Sequence, residues 1–236
     1  MPALNEEGRI GPVIRSARDT LPGAEVVVVN DASTDGTLRE ALAAGATVLP
    51  HAVNMGYGAS LETAYVYAMR QGARLLVQMD GDGQHPAREL PRLAAPILDG
   101  TADIVLGSRY ARRGASPRTP PIRRAGQKFF AFLLRILTGR RFTDPTSGFQ
   151  ALGPRAICFF SSGVFPCDYP DADVLLMAHL AGLRIEEVPV EMLERAGGTS
   201  MHAGWKPLYY GAKMLLSLFV VLLNYGVWRA RRARIG

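Results

Sequence analysis

The stretch LLVQMDGDGQHP, residues 75–86, is an apolar run that breaks into two aspartates one residue apart. On an extended backbone residues i and i+2 point to the same face, so Asp80 and Asp82, with Gly81 between them, can converge on one divalent cation. Without a cation the two charges would repel, and one carboxyl group would titrate high. An acidic turn is the plain alternative, because Asp and Gly are ordinary turn residues. A cation held there would suit a reaction in which negative charge grows on a leaving phosphate oxygen, and arginines would share in stabilising it. Arg109, Arg112 and Arg113 follow the apolar run 104–106 and are placed to close over such a group; any one of them could instead be solvated surface.

Other residues could contribute. The segment NMGYGAS, residues 54–60, sits between strand-like and helix-like stretches, as a dinucleotide loop would, but Leu61 replaces the third glycine of GxGxxG. That argues against a dinucleotide cofactor and leaves Asn54, Gly56 and Gly58 either bordering a nucleotide pocket or forming a helix-start turn. Asp144, in DPTSGFQ, reads on its own as a helix cap or a turn residue before Pro145. His85, His179 and His202 have no mutual metal-ligand spacing and read as structural or surface residues.

These residues must be held by a scaffold, and the hydrophobic periodicity describes one. Strand-like runs fall at 25–30, 46–49, 75–79, 104–106 and 185–193, and helix-like spacing falls near 9–20, 35–44, 57–71, 89–99 and 171–181. Strand and helix in alternation predict an α/β, Rossmann-like fold: a mostly parallel sheet with helices on both faces. Ligands bind beyond the carboxyl ends of such strands, which places Asn30-Asp31 and Asp80-Gly81-Asp82 on one functional edge. The proline-rich segment 114–121 reads as a loop. The chain opens MPALNEE, with a turn-like Pro2 and Asn5 as a helix cap and no strand before them, so either the fold lacks its first strand or the true start lies upstream.

At 236 residues and 48% hydrophobic content the chain can bury one substantial core, and nothing marks a second globular unit. The formal charge of +6 is uneven, since no acid occurs from Arg109 to Arg141 or after Glu194. Such blocks suit anionic partners or a solvated face. No recognition helix or interleaved stacking motif supports a nucleic-acid binder. Two cysteines, Cys158 and Cys167, without CxxC or zinc spacing fit a reducing cytoplasm, and the N-terminus has no signal-peptide pattern. Residues 214–228 form an uncharged run of 15, short for a membrane span; tyrosines, Trp228 and a basic tail suit the membrane interface. A buried or dimer-packing helix, hence a homo-oligomer, is the alternative for this run. The stretch 122–137, IRRAGQKFFAFLLRIL, has the composition of a second interfacial helix.

Taken in order, PALNEE, VVVVNDASTDGT, NMGYGAS, MDGDGQHP, GSRY, DPTSGFQAL and EVPVEMLERAGGTS resemble the glycosyltransferase family 2 pattern of the type A fold, and more narrowly the polyprenyl-phosphate sugar transferases. The resemblance runs to about residue 205, giving a catalytic domain over 1–205 followed by an apolar interface helix with a basic tail over 206–236. It implies that Pro2, Ala3, Asn5 and Glu6 line the nucleotide pocket and that Asp31 hydrogen-bonds the base or ribose. Asp80 and Asp82 would hold Mg²⁺ or Mn²⁺ against the diphosphate of a nucleotide sugar, with Gln84 nearby. Asp144 would lie by the reacting centre, as a base if the acceptor is a sugar hydroxyl and as an orienting group if it is a lipid phosphate. Arg195, Gly198 and Ser200 match the family's R..G.S element, and Arg195 and Ser200, with Arg112 and Arg113, would meet the acceptor phosphate. The implied activity is inverting, metal-dependent sugar transfer to a polyprenyl phosphate at the cytoplasmic membrane face. The rivals are transfer to a saccharide hydroxyl and a non-catalytic nucleotide-sugar-binding scaffold.

Overall fold

The structure is a computed structural model in which residues 1–111, 121–166, 170–193 and 206–227 are described, the side chains of 121–123 and 206–210 excepted. Fifteen elements follow one another in these residues: β1 (Pro2–Ala3), α1 (Ile10–Thr20), β2 (Val27–Asn30), α2 (Thr37–Ala43), β3 (Thr47–Pro50), α3 (Tyr57–Arg70), β4 (Leu76–Gln78), α4 (Leu90–Leu98), β5 (Ile104–Ser108), α5 (Pro121–Thr138), β6 (Gln150–Leu152), α6 (Pro154–Phe160), α7 (Ala172–Leu180), β7 (Ile185–Pro189) and α8 (Lys206–Leu223). Every strand and helix expected from periodicity is present, with ends shifted by a few residues.

The strands form a three-stranded parallel group, β1-β2-β3, and a four-stranded group in the order β4-β6-β5-β7. β5 and β7 pair parallel, whereas β6 runs antiparallel between β4 and β5. That reversal positions the site. Because β6 runs the other way, its start lies beside the carboxyl ends of β4 and β5, so the DPTSG segment arrives at the edge where Asp80 and Arg109 leave their strands.

Two expectations about the chain's start are corrected. Pro2–Ala3 themselves form a strand, in parallel register with Val29 and Asn30 of β2, so the first-strand position is filled, by a short strand, and not missing. Asn5 is not a helix cap: its backbone is left-handed (φ 55°), its N–H donates to Ser33 Oγ and its Oδ1 accepts the Thr34 N–H. Asn5 is thereby spent on tying its loop to the turn after β2, and α1 begins only at Ile10, with Arg9 at the cap position.

Side-chain alternation explains the layers. On β5, Ile104 and Leu106 face a core with Leu152 of β6 and with Tyr65, Phe160, Leu175 and Leu176, contributed by α3, α6 and α7. Val105 points the other way, with Ala151, into a core with Leu90, Leu93 and Ile97 of α4. Helices therefore cover both faces of this sheet, as the pattern of 2 along strands demands. A third cluster packs Ile10 and Ile14 of α1 against Val28 and Ala41. Each such fully buried leucine or isoleucine contributes about 1.5–3 kcal/mol.

The C-terminal helix α8 buries Met214, Leu218 and Val221 in the first of these cores, the i, i+4, i+7 spacing of one helix face. Its other face leaves Leu215, Leu216, Phe219, Val220 and Leu223 exposed. α5 likewise buries Leu134 and exposes Phe129, Phe132 and Ile136. Among the described residues no helix is long and apolar enough to cross a membrane.

Candidate active site

Four strand ends build the site. β2 delivers Asp31, β4 delivers Asp80 and Asp82, β5 delivers Arg109, and the approach to β6 delivers Asp144 through Gly148.

Asp80 lies against two groups. Tyr57, the first residue of α3, donates from its hydroxyl to Asp80 Oδ1 at 2.9 Å. The Asp80 N–H donates to His85 Nδ1 at 3.0 Å, so His85 carries its proton on Nε2. His85 is buried and its ring stacks on Phe149, with 4.6 Å between centroids. Burial pushes the His85 pKa down, against the opposing pull of Asp80 and Asp82, so the ring is neutral at pH 7; the Arg109 and Asp144 charges act on it as well. Both aspartates, Arg109 and Asp144 thus lie within electrostatic reach of one ring. Asp82 Oδ1 accepts the Gln84 N–H at 3.0 Å, which fixes the couplet's turn. A Cβ on Gly81 would stand 2.7 Å from Ile10 Cδ1 and 3.5 Å from the Pro2 carbonyl oxygen, so glycine lets this turn lie against β1.

The residues present fit a small divalent cation bound together with a diphosphate. The Asp80 side chain is 30% exposed, and its Oδ2 lies 3.9 Å from a His85 nitrogen that carries no proton. Gly148 leaves that side open, since even a Cβ there would come within 3.5 Å of Oδ2. Among the described residues no group of three or more His, Cys, Asp or Glu could hold a metal by itself. Two carboxylates with the remaining positions left to phosphate and water is how Mg²⁺ is usually held.

Arg109 and Asp144 form the most tightly made pair of the site. Arg109 Nε and Nη2 donate to Asp144 Oδ2 and Oδ1 at 2.6 and 2.7 Å, and the Arg109 N–H donates to Oδ2 at 3.1 Å. The Asp144 side chain is 0% exposed and that of Arg109 is 15% exposed. Burial works against the Arg109 charge, but the bonds and charge of Asp144 outweigh it and hold the guanidinium more firmly protonated than usual. Asp144 is therefore placed to aim Arg109, and neither of its oxygens reaches solvent in this structure.

The loop carrying Asp144 is held from β7. Glu187 accepts the N–H groups of Thr143 and Asp144 at 2.8 and 3.0 Å, and the Thr143 hydroxyl. Burial pushes the Glu187 carboxyl above its ordinary value, only partly offset by these bonds. Ser147 Oγ donates to the Gly107 carbonyl, and Gln127 of α5 bonds both Tyr110 and Thr146. α5, with its exposed phenylalanines, is thus wired directly to the site loop.

On the β2 side, Asp31 is buried and its carboxylate accepts the N–H groups of Met55 and Gly56 at 2.8 and 2.9 Å, with His51 Nδ1 at 2.8 Å. It shapes the loop entering α3, and Gly56 supplies the left-handed turn there (φ 94°). Asn54 is exposed on that loop and Gly58 is buried in α3. Pro2 and Ala3 are buried strand residues, and the Ala3 carbonyl accepts the Asp31 N–H. Glu6 donates its N–H to Thr37 and pairs with Arg9 at 2.6 Å. Gln84 exchanges bonds with Leu193, through Leu193 N–H to the Gln84 carbonyl and Gln84 Nε2 to the Leu193 carbonyl, so the chain leading towards Arg195 passes the couplet. Arg112, Arg113, Arg195, Gly198 and Ser200 lie outside the described residues, as do His202 and Cys167. Cys158 is an exposed free thiol.

Tyr57, Gln78, His51, Gln127, Glu187 and Asp171 were not foreseen as site residues. Asp171, at the start of α7, is close enough for its charge to act on both Tyr57 and Arg109. Tyr57, Gln78, Gln127 and Glu187 lie within stretches the sequence singles out, but each reaches the site only through the fold, as His51 and Asp171 do.

The family model for glycosyl transferase family 2 matches residues 1–160. The chain is 30% identical to undecaprenyl-phosphate mannosyltransferase of Micrococcus luteus over 247 aligned residues, covering 100% of this chain and 97% of that protein. This chain belongs to glycosyltransferase family 2. The enzyme is also 30% identical to polyprenol monophosphomannose synthase of Mycolicibacterium smegmatis, over 86% of this chain and 80% of that one. Among solved structures it superposes with a TM-score of 0.71 on glucosyl-3-phosphoglycerate synthase of Mycobacterium tuberculosis, crystallised with Mn²⁺, UDP-glucose and phosphoglyceric acid. That match covers 93% of this chain and 77% of the other at 23% identity, and it shows the type A glycosyltransferase fold. The glycosyltransferase accordingly has the mixed α/β, mostly parallel architecture that its sequence pattern implies.

Proposed function

We propose that this glycosyltransferase moves a sugar from a nucleotide sugar to a polyprenyl phosphate at a membrane surface, with inversion and with a divalent cation at Asp80 and Asp82. One observation carries the choice of acceptor: Asp144, the candidate base, has no accessible oxygen beneath Arg109. A hydroxyl acceptor needs a base, whereas a lipid phosphate, with a second pKa of about 6, is already ionised near neutral pH. The names of the relatives from Micrococcus and Mycolicibacterium, which carry undecaprenyl phosphate and polyprenol, support the same choice.

In this reading Asp80 and Asp82 would hold the cation, which when bound would neutralise charge developing on the leaving oxygen. Arg109, held charged and aimed by Asp144, adds a second stabilising charge from β5. Asp31 and the loops at 5–6 and 54–58 frame the nucleoside. Arg112, Arg113, Arg195 and Ser200 meet the acceptor phosphate. Residues 1–205 form the catalytic unit, and 206–236 carry the interface helix and basic tail. The exposed apolar faces of α5 and α8 lie on the lipid, which brings the acceptor headgroup to the site loop through Gln127. The expected place is the cytoplasmic face of the cell membrane.

One observation favours a second reading, transfer to a saccharide hydroxyl: Asp171 is a further acid near Arg109. Asp171→Asn separates the two. With nucleotide sugars labelled in the sugar and offered with a polyprenyl phosphate, lipid-extractable product forms and D171N retains it at wild-type order of magnitude. Label that enters only water-soluble saccharide, and is abolished in D171N, would replace the first reading with the second.

A further inference from the structure

We propose that Tyr57 tunes which divalent cation the couplet accepts, by holding one oxygen of Asp80 in a hydrogen bond so that this carboxylate is presented chiefly through the other. The inference rests on the reading of Asp80 and Asp82 as cation ligands and goes beyond it, because Tyr57 is not itself a ligand.

The hydrogen bonds leave a single assignment of donors. Tyr65 donates its hydroxyl to Gln78 Oε1, and Gln78 Nε2 donates to the Gly148 carbonyl at 2.9 Å. Gln78 Nε2 also reaches Tyr57 Oη at 3.4 Å. The Tyr57 oxygen thus receives from Gln78, and its one proton goes to Asp80 Oδ1 at 2.9 Å. Tyr57 and Gln78 are set on α3 and β4 by backbone structure, and Tyr65 and Gln78 are themselves buried. Asp80 Oδ1 is therefore committed to a fixed neutral donor.

Asp80 Oδ2 stands differently. His85 Nδ1, 3.9 Å away, already accepts the Asp80 N–H and has no proton to give. The space beyond Oδ2 is bounded by Gly148, where a Cβ would lie 3.5 Å from Oδ2 and 3.0 Å from Tyr57 Oη. A carboxylate presented through one oxygen suits Mg²⁺ or Mn²⁺, which take compact octahedral sets of one or two carboxylates, phosphates and waters. Ca²⁺ favours more oxygens at longer distances and commonly takes a carboxylate through both. Tyr57 competes with it for that second oxygen and fixes the plane of the carboxylate.

The test is Tyr57→Phe, which keeps the ring and removes the hydroxyl. Free Mn²⁺ is followed by its electron paramagnetic resonance signal during titration of the protein, alone and with UDP or GDP, and Ca²⁺ is then added as competitor. The wild type binds Mn²⁺ and resists Ca²⁺; in Y57F the Mn²⁺/Ca²⁺ preference drops by about tenfold or more, the size of effect typical of partners that orient a metal ligand. Gly148→Ala, which crowds the Tyr57 oxygen from the other side, shifts the preference in the same direction and serves if Y57F does not fold by circular dichroism. An unchanged preference in a folded variant overturns the role of Tyr57 and leaves the cation site standing. Failure of the wild type to bind Mn²⁺, or equal binding by Asp82→Ala, overturns the cation site and the inference with it.

Discussion

Removing the Arg109 side chain should unfold part of the enzyme's stability and all of its rate enhancement from that charge, and the two losses can be separated. Arg109→Met leaves Asp144, 0% exposed, as a buried carboxylate without its cation, retaining only the donors from its own backbone surroundings. Breaking a buried pair from one side costs about 3–5 kcal/mol. For a chain of this size each kcal/mol moves Tm by about 2–4 °C, so R109M should melt roughly 6–20 °C lower. Adding Asp144→Asn removes the stranded charge, and the double variant should recover most of that loss. Activity should not follow: without the guanidinium the leaving diphosphate loses a preorganised charge, a deficit of about 10²–10³ in kcat in both variants. Calorimetry and the lipid-extraction assay on the three proteins give the comparison. A single variant melting within about 2 °C of wild type would refute the buried-pair argument. A double variant with full activity would refute the role of Arg109 at the diphosphate.

Asp82→Ala should abolish metal-dependent transfer while far-ultraviolet circular dichroism and Tm stay near wild type; activity that survives in chelator refutes the cation's role. Replacing exposed Phe132, Leu216 and Phe219 with glutamine should release the enzyme from anionic liposomes in co-sedimentation, with stability changed by no more than about 0.5 kcal/mol per site. Asp103 is held below the ordinary carboxylate range: burial opposes its charge, but bonds from Arg184 and the charge of Arg155 outweigh it. A depressed folded pKa gives stability that is present above about pH 4 and lost as pH falls through the folded value. Asp103→Asn should therefore lower stability to urea at pH 7 and flatten its loss between pH 4 and pH 2.

Much of this arrangement was legible in the sequence because it is local. Apolar runs located β2, β4, β5 and β7, the edge rule placed Asp31 with Asp80 and Asp82, and Arg109 was read as closing over them from the loop after 104–106. What was not legible is what sequence-distant residues decide. β6 has three residues, too few for a period to show, yet its antiparallel course is what brings Asp144 to Arg109. Asp144 was read as a group facing the reaction; that it lies entirely beneath Arg109 depends on Glu187, 43 residues away, holding its N–H. Asn5 followed by two acids looked like a cap, and the competing partners Ser33 and Thr34, on another turn, took its hydrogen bonds instead. Nothing about Tyr57 in NMGYGAS marked it as a partner of the aspartates, and only the fold sets its hydroxyl on Asp80.

The most direct test is a crystal structure of the enzyme with Mn²⁺ and a nucleotide sugar that it turns over. The account predicts the cation between Asp80, Asp82 and the diphosphate, with Arg109 facing the leaving phosphate and Tyr57 still on Asp80 Oδ1. A diphosphate bound away from the couplet, or a cation held by other residues, would contradict it.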